Sequence, residues 1–279
     1  MTEAPLACVV GWPAKHSRSP VIHRFWLNEL GLAGDYVLQP VEPDRAAAFF
    51  AGFAGGRYVG CNVTVPHKEV AFAAVAKRDA AAEATGALNT IWLEDGRLTG
   101  ANTDPAGFLA NLDETVPAWD ADPGQAIVLG AGGAARAIVW ALLSRRFAPV
   151  HVVNRTPQRP KALARLFGDK AMPAAWADVP RLLGQARMLV NTTTLGMVGQ
   201  PPLKIDLAPL PENAVVNDIV YVPMETELLA AAAGRGLRTA GGLGMLLHQA
   251  VPGFERWFGK RPTVTPALRA AVTRAIEEG

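Results

Sequence analysis

The chain has 279 residues, 50% hydrophobic and 19% charged, which excludes a disordered polymer and suits a globular enzyme with a large buried core in two domains. A net charge of +2 gives no general attraction to nucleic acid or to an anionic membrane, so any site for an anionic ligand has to be local. Cys8 and Cys61 are the only cysteines, with neither metal-ligand spacing nor a disulfide framework, and both read as small reduced residues in or beside strands.

The opening Met1-Thr2-Glu3-Ala4-Pro5 lacks the basic-then-apolar pattern of a secretory signal, and the apolar run 6–10 is too short to span a bilayer, so a cytoplasmic location is expected. In chain order, β-rich and helical stretches alternate: a strand at 7–11, a helix at 20–30, a strand at 36–39, a helix at 45–52 and a strand at 60–65. A helix at 70–76 and a strand at 88–93 follow. This rhythm predicts a mostly parallel α/β sheet.

Polar residues punctuate the strand ends. His16-Ser17-Arg18-Ser19-Pro20 sets two hydroxyls before a helix, with Ser19 suited to the N-cap and Pro20 to the first helical position. Asn62-Val63-Thr64-Val65-Pro66-His67-Lys68 alternates so that, on a strand, Asn62 and Thr64 share a face. Pro66 suits a first helical turn, which puts Lys68 where the macrodipole opposes a positive charge and favours proton exchange. Asn89-Thr90 opens a strand, and Asn102-Thr103-Asp104-Pro105 closes the last extended segment, with Asp104 suited to capping 105–111.

A second rhythm begins near Asp122-Pro123-Gly124. Ala126-Ile127-Val128-Leu129 reads as a buried strand, then Gly130-Ala131-Gly132-Gly133-Ala134-Ala135 opens a helix reaching about 146. Small residues at this turn let the backbone approach a pyrophosphate, and the helix start supplies N–H donors, so the segment predicts a dinucleotide site. The next strand, 150–153, ends in Asn154-Arg155-Thr156 where an NAD site carries a carboxylate for the ribose. A neutral amide with Arg155 and Arg159 suits a 2′-phosphate, hence NADP(H). A helix at 158–167, strands at 188–191 and 214–219, and three terminal helical segments at 245–250, 254–258 and 266–278 complete the pattern. Tyr221 closes the run 214–221, and Gln249 is an amide on an otherwise apolar helix face.

These motifs taken together resemble the shikimate/quinate dehydrogenase family over essentially the whole chain. The resemblance rests on Ser17-Arg18-Ser19-Pro20, Asn62 to Lys68, Gly86-Ala87-Leu88-Asn89-Thr90 and Asn102-Thr103-Asp104. It continues in Gly130 to Ala134, Asn154-Arg155-Thr156, Asn191-Thr192-Thr193-Thr194-Leu195-Gly196-Met197 and Gly244 to Ala250. It implies an N-terminal α/β substrate domain (1–104 with 243–279, the C-terminal helices packing back on it) and a Rossmann-type dinucleotide-binding domain (105–242). The implied reaction is NADPH-dependent reduction of 3-dehydroshikimate to shikimate.

By the same resemblance Ser17, Ser19 and Tyr221 hold the substrate carboxylate, with Thr64 close by. Asn62, Asn89, Asp104 and Gln249 bind ring hydroxyls, and Lys68 and Asp104 form the catalytic pair. Thr194, Met197, Gly242 and Met245 belong to the nicotinamide end, and no metal is implied. Pro105 and Pro160 depart from the commonest pattern without removing a functional group. Competing expectations are a quinate/shikimate dehydrogenase using NAD as well as NADP, and a non-catalytic nucleotide-binding regulator. The partners expected are the small-molecule substrate, with no nucleic acid and no membrane, in a monomer or homodimer.

Overall fold

The computed structural model describes residues 4–15 and 17–278; Met1, Thr2, Glu3 and His16, named above, lie outside the described residues. The chain forms two compact units, Met1–Thr103 with Leu247–Gly279, and Asp104–Leu246.

In the first unit, strands β1 (Leu6–Gly11), β2 (Asp35–Pro40), β3 (Gly60–Val63), β4 (Lys77–Arg78), β5 (Thr90–Glu94) and β6 (Arg97–Ala101) form one sheet in the order β2-β1-β3-β5-β6-β4. β1 runs parallel to β2 and β3, and β4 runs parallel to β6, while β5 pairs antiparallel with both β3 and β6. The β5–β6 hairpin turns at Asp95-Gly96, both with positive φ (51° and 73°), the backbone that a two-residue hairpin requires. Helices α1 (Ser19–Glu29), α2 (Ala46–Ala51), α3 (Lys68–Ala74) and α4 (Ala80–Thr85) lie along the same stretch of chain. One face of β1 and β3 buries Cys8, Val10, Cys61 and Val63 against Phe50, Phe53 and Ala71. Cys8 and Cys61 are register neighbours and both are free thiols; burial pushes the Cys61 thiol well above its ordinary pKa.

Three local expectations are corrected here. β3 stops at Val63, so Thr64 lies beyond the strand, its N–H donating to the Val10 carbonyl at 2.9 Å. Pro66 sits in the turn before α3 rather than in its first turn, because the helix starts at Lys68. Ser19 is the first residue of α1, not its cap. Arg18 occupies the cap position, and Ser17 Oγ accepts the Ser19 N–H at 3.3 Å.

In the second unit, β7 (Gln125–Leu129), β8 (Val150–Val153), β9 (Ala171–Ala174), β10 (Ala186–Asn191), β11 (Val215–Asp218) and β12 (Arg238–Ala240) form an all-parallel sheet, ordered β12-β11-β10-β7-β8-β9. That is the doubly wound order, with the chain reversing direction across the sheet at β7. Both faces are covered: Ala126 and Val128 belong to one core with Ile138 and Leu142, Ile127 and Leu129 to another with Leu182 and Leu228. Strands buried on both sides read as unbroken apolar runs for that reason. The helices of this unit are α5 (Asp104–Thr115), α6 (Gly133–Ser144), α7 (Gln158–Phe167), α8 (Val179–Leu183) and α9 (Glu227–Gly234). Asp104 is the first residue of α5 rather than a cap ahead of it.

The chain ends in α10 (Gly242–Phe258) and α11 (Pro266–Glu277). The separate segments expected at 245–250 and 254–258 are one helix running through Pro252. Its later part belongs to the first unit, where Phe254 and Trp257 are buried and the Trp257 indole donates to the Ile91 carbonyl at 2.9 Å. On α1, the Trp26 indole donates to the Thr263 carbonyl ahead of α11 at 2.9 Å. The terminal helices thus pack back on the N-terminal unit.

Candidate active site

In the first unit, polar side chains gather at the ends of β1, β3 and β5. Ser17 Oγ donates to Ser19 Oγ at 3.2 Å, so the two hydroxyls ahead of α1 form one group. Asn62, on β3, is buried, and its amide is heavily used: Nδ2 donates to the Asn89 carbonyl and to Thr90 Oγ1 (3.2 Å each), while Oδ1 accepts from the Tyr36 phenol at 2.7 Å. Both Nδ2 hydrogens are used by described residues, which makes Asn62 an acceptor rather than a donor towards a ligand hydroxyl. Burial keeps the Tyr36 phenol well above its ordinary pKa, so it stays a donor.

Asn89 is a second hub. Its Oδ1 accepts from the Thr103 N–H (2.8 Å) and Thr90 Oγ1 (3.0 Å), with Thr103 Oγ1 lying 3.0 Å away, and its Nδ2 donates to Gln249 Oε1 at 3.2 Å. Thr103 Oγ1 also reaches the Gln249 carbonyl at 2.8 Å, so α10 is fixed against the start of β5. Asn62, Asn89 and Gln249 are therefore brought into one hydrogen-bonded network. Tyr36, Thr90 and Thr103, which carry no role in the sequence reading, are its connectors. The adjacency of Thr90 to Asn89 and of Thr103 to Asp104 is the only sequence signal for two of them; Tyr36 reads as an ordinary strand aromatic.

Lys68 opens α3 half-buried, held from both sides. The buried His67 ring donates through Nε2 to the Val41 carbonyl at 2.7 Å, and the Leu88 N–H donates to the Lys68 carbonyl at 3.3 Å. The stretch leading to Asp104 is fixed by Asp79, whose Oδ1 accepts the Asn102 N–H at 3.1 Å and the Ala82 N–H at 2.7 Å. Burial raises the Asp79 carboxyl above its usual pKa, against those two bonds. Asp104 itself is 7% exposed.

In the second unit, the turn after β7 is built for close approach. Gly130 has φ +109°, and a Cβ there would collide with Thr192, whose Oγ1 donates to the Leu129 carbonyl at 2.7 Å. A Cβ on Gly132 would meet no protein atom within 4 Å, so the space beside it is open. The cap residue of α6 is Gly132, with no side chain to bond the leading N–H groups, and no carboxylate lies in the helix's first turn among the described residues, which suits that helix start to an anion. Ala131 is buried, while Gly133 and Ala134 are half-buried in that turn. After β8, Asn154 Nδ2 donates to the Thr156 carbonyl at 3.2 Å, and Arg155 and Arg159 are exposed. A pyrophosphate cradle followed by two exposed guanidinium groups fits a 2′-phosphorylated dinucleotide.

Beyond β10 and β11 lie the remaining positions. Thr194 is exposed, Met197 and Tyr221 are half-buried, and the Gly242 N–H donates to the Val220 carbonyl at 3.3 Å. Met245 is 8% exposed and belongs to the core with Phe108 and Ile138, so most of its side chain is structural. Asp218 accepts from Asn191, Thr226 and the Val220 N–H, and burial still raises its carboxyl above the usual range.

A doubly wound sheet, a glycine turn open to a pyrophosphate and a second α/β unit rich in small polar groups define a pyridine-nucleotide-dependent oxidoreductase. Family models describe residues 9–91 as a shikimate dehydrogenase substrate-binding domain, 115–196 as shikimate/quinate 5-dehydrogenase and 242–272 as a shikimate 5′-dehydrogenase C-terminal domain. The chain is 56% identical over 272 residues to the shikimate dehydrogenase (NADP+) of Afipia carboxidovorans, covering 98% of each chain. Among solved structures it is similar to the Thermus thermophilus shikimate 5-dehydrogenase in complex with NADP(H) and shikimate (34% identity, TM-score 0.84, 98% and 99% covered). It is also similar to the quinate dehydrogenase of Corynebacterium glutamicum in complex with NAD (28% identity, TM-score 0.85, 96% and 98% covered). The chain belongs to the shikimate dehydrogenase family, and within it to the NADP-dependent shikimate dehydrogenases.

Proposed function

We propose that this enzyme carries out the reversible NADPH-dependent reduction of 3-dehydroshikimate to shikimate with Lys68 as the proton donor. The observation that carries the choice of substrate is the gathering of Asn62, Asn89 and Gln249 into one hydrogen-bonded network, in a chain 56% identical to a shikimate dehydrogenase (NADP+). NADPH, when bound, supplies the hydride to the carbonyl carbon. The first unit acts as the substrate domain. Ser17, Ser19 and Tyr221 take the carboxylate with Thr64 beside them, Asn62 accepts from a ring hydroxyl, and Asn89, Asp104 and Gln249 bind the others. The Lys68 ammonium stabilises charge developing on the carbonyl oxygen and then protonates it, and Asp104, as the carboxylate of the catalytic pair, holds that ammonium in place and hydrogen-bonds a neighbouring hydroxyl.

The second unit acts as the cofactor domain. Gly130, Ala131, Gly132, Gly133 and Ala134 hold the pyrophosphate, and Asn154, Arg155, Thr156 and Arg159 hold the adenosine 2′-phosphate. Thr194, Met197, Gly242 and Met245 shape the nicotinamide end. No helix among the described residues is long and apolar enough to cross a membrane. The reading places the enzyme in the cytoplasm, as a monomer or homodimer without nucleic-acid partners. Lys68→Ala tests the chemistry: removal of a general acid costs about 10²–10⁴-fold in kcat with KM for shikimate little changed. A large rise in KM with kcat intact would make Lys68 a binding residue instead.

A further inference from the structure

Asn191 and Asp218 end neighbouring parallel strands as register partners, and both are fully buried. Asp218 Oδ1 accepts from Asn191 Nδ2 and from the Val220 N–H, each at 3.0 Å. Its Oδ2 accepts from Thr226 Oγ1 at 2.8 Å, and Thr226 in turn caps α9. Each bond fixes a different segment: the end of β10, the turn leading to Tyr221, and the start of α9.

Asn191 passes the restraint on. Its Nδ2 also donates to the Leu195 carbonyl at 3.1 Å, and its Oδ1 accepts from the Thr193 N–H (3.0 Å) and Thr193 Oγ1 (2.7 Å). Thr193 Oγ1 accepts the Leu195 N–H at 3.1 Å, and the Val198 N–H donates to the Val222 carbonyl at 2.9 Å. The segments carrying Thr194 with Met197, and Tyr221, are thus tied to each other and to a single carboxylate. A buried carboxylate is costly unless its lone pairs are filled, and here three donors from three segments fill them. An apolar residue would fill the same volume without fixing either segment's backbone.

We propose that Asp218 is a positioning residue for the reaction, setting through Asn191 and the Val220 N–H the segment that meets the nicotinamide end and the segment that brings Tyr221 to the substrate carboxylate. The inference rests on the roles given above to Thr194, Met197 and Tyr221. Misplacement of a binding group by about 1 Å costs up to roughly 10²-fold. Asp218→Ala is therefore expected to raise KM for both shikimate and NADP by about ten-fold, measured well below its melting temperature. Asp218→Asn keeps the Oδ1 acceptor for Asn191 and Val220 and turns the Thr226 contact round, because a hydroxyl can also accept. It is expected to restore both constants to within about three-fold of wild type.

A folded Asp218→Ala protein with a lowered melting temperature but either KM unchanged would overturn the proposal. Should Asp218→Ala not fold, Asn191→Ser carries the test. It removes the amide that joins Asp218 to residues 193–195 and leaves the bonds of Asp218 to the Val220 N–H and Thr226, so the NADP KM should rise at least about five-fold with the shikimate KM within about two-fold; an unchanged NADP KM overturns the proposal. Tyr221→Phe, run alongside, separates the two failures. A raised shikimate KM there with normal Asp218→Ala kinetics leaves the role of Tyr221 standing and removes only that of Asp218.

Discussion

Asn89 Nδ2 donates to Gln249 Oε1 at 3.2 Å, joining the start of β5 to α10 across 160 residues of sequence. The two partners are not equivalent. Asn89 Oδ1 is the acceptor for two buried donors, the Thr103 N–H and the Thr90 hydroxyl, whereas Gln249 Oε1 takes the Asn89 amide. Each buried donor left without an acceptor costs about 1–3 kcal/mol. Asn89→Ala is expected to lower stability by about 3 kcal/mol or more, and Gln249→Ala by about 1 kcal/mol, in urea titrations. Both should raise the shikimate KM. Equal destabilisation by the two would contradict the hub assigned to Asn89.

His23 gives the fold an acid limit. It is fully buried, stacked on Tyr36 at 4.0 Å between centroids, and neither ring nitrogen meets a hydrogen-bond partner among the described residues. Burial lowers its pKa to about 3, with the nearby Asn62 amide acting in the raising direction. The folded chain keeps it neutral while the unfolded chain protonates near 6.5. Its contribution is complete above about pH 6.5 and is lost as pH falls towards about 3, by ~2 kcal/mol between about 6.5 and 5. The raised carboxyls of Asp79 and Asp218 act in the opposite sense, binding protons more readily in the folded state. Comparing His23→Phe with wild type removes them from the difference: the variant should lose ~2 kcal/mol less over that range. Parallel pH curves for the two proteins would refute this.

Arg155 and Arg159 stand exposed after β8, with no carboxylate at the position of Asn154. Charge-assisted bonds to a phosphate contribute about 1.5–3 kcal/mol each. Arg155→Ala should therefore raise the NADP KM about ten-fold or more while leaving the NAD KM within about three-fold. The same rise with both cofactors would place Arg155 away from the 2′-phosphate.

Much of this was legible in the sequence, for identifiable reasons. The second unit's strands are covered on both faces, so 126–129 and 150–153 appear as apolar runs, and a glycine in the following turn is demanded by a φ of +109° and the close approach of Thr192 at Gly130. β4, with two residues, and β12, with three, are too short for a periodic signal. Pro252 reads as a break, yet α10 runs on because burial of Phe254 and Trp257 outweighs one missing ladder bond. The residues that connect the site, Tyr36, Thr90, Thr103 and Asp218, touch partners far away in sequence; Thr90 and Thr103 at least adjoin residues the motifs single out, while local spacing carries no trace of the contacts of Tyr36 and Asp218.

The most direct test is a single spectrophotometric matrix: shikimate and quinate, each with NADP and with NAD, on the purified enzyme. The account predicts that kcat/KM with shikimate and NADP exceeds every other combination by about ten-fold or more, since one charge-assisted bond to a phosphate or a hydroxyl is a factor of that size. Near-equal use of NAD would contradict the roles of Arg155 and Arg159, and a preference for quinate, or no turnover of shikimate, would contradict the assigned reaction.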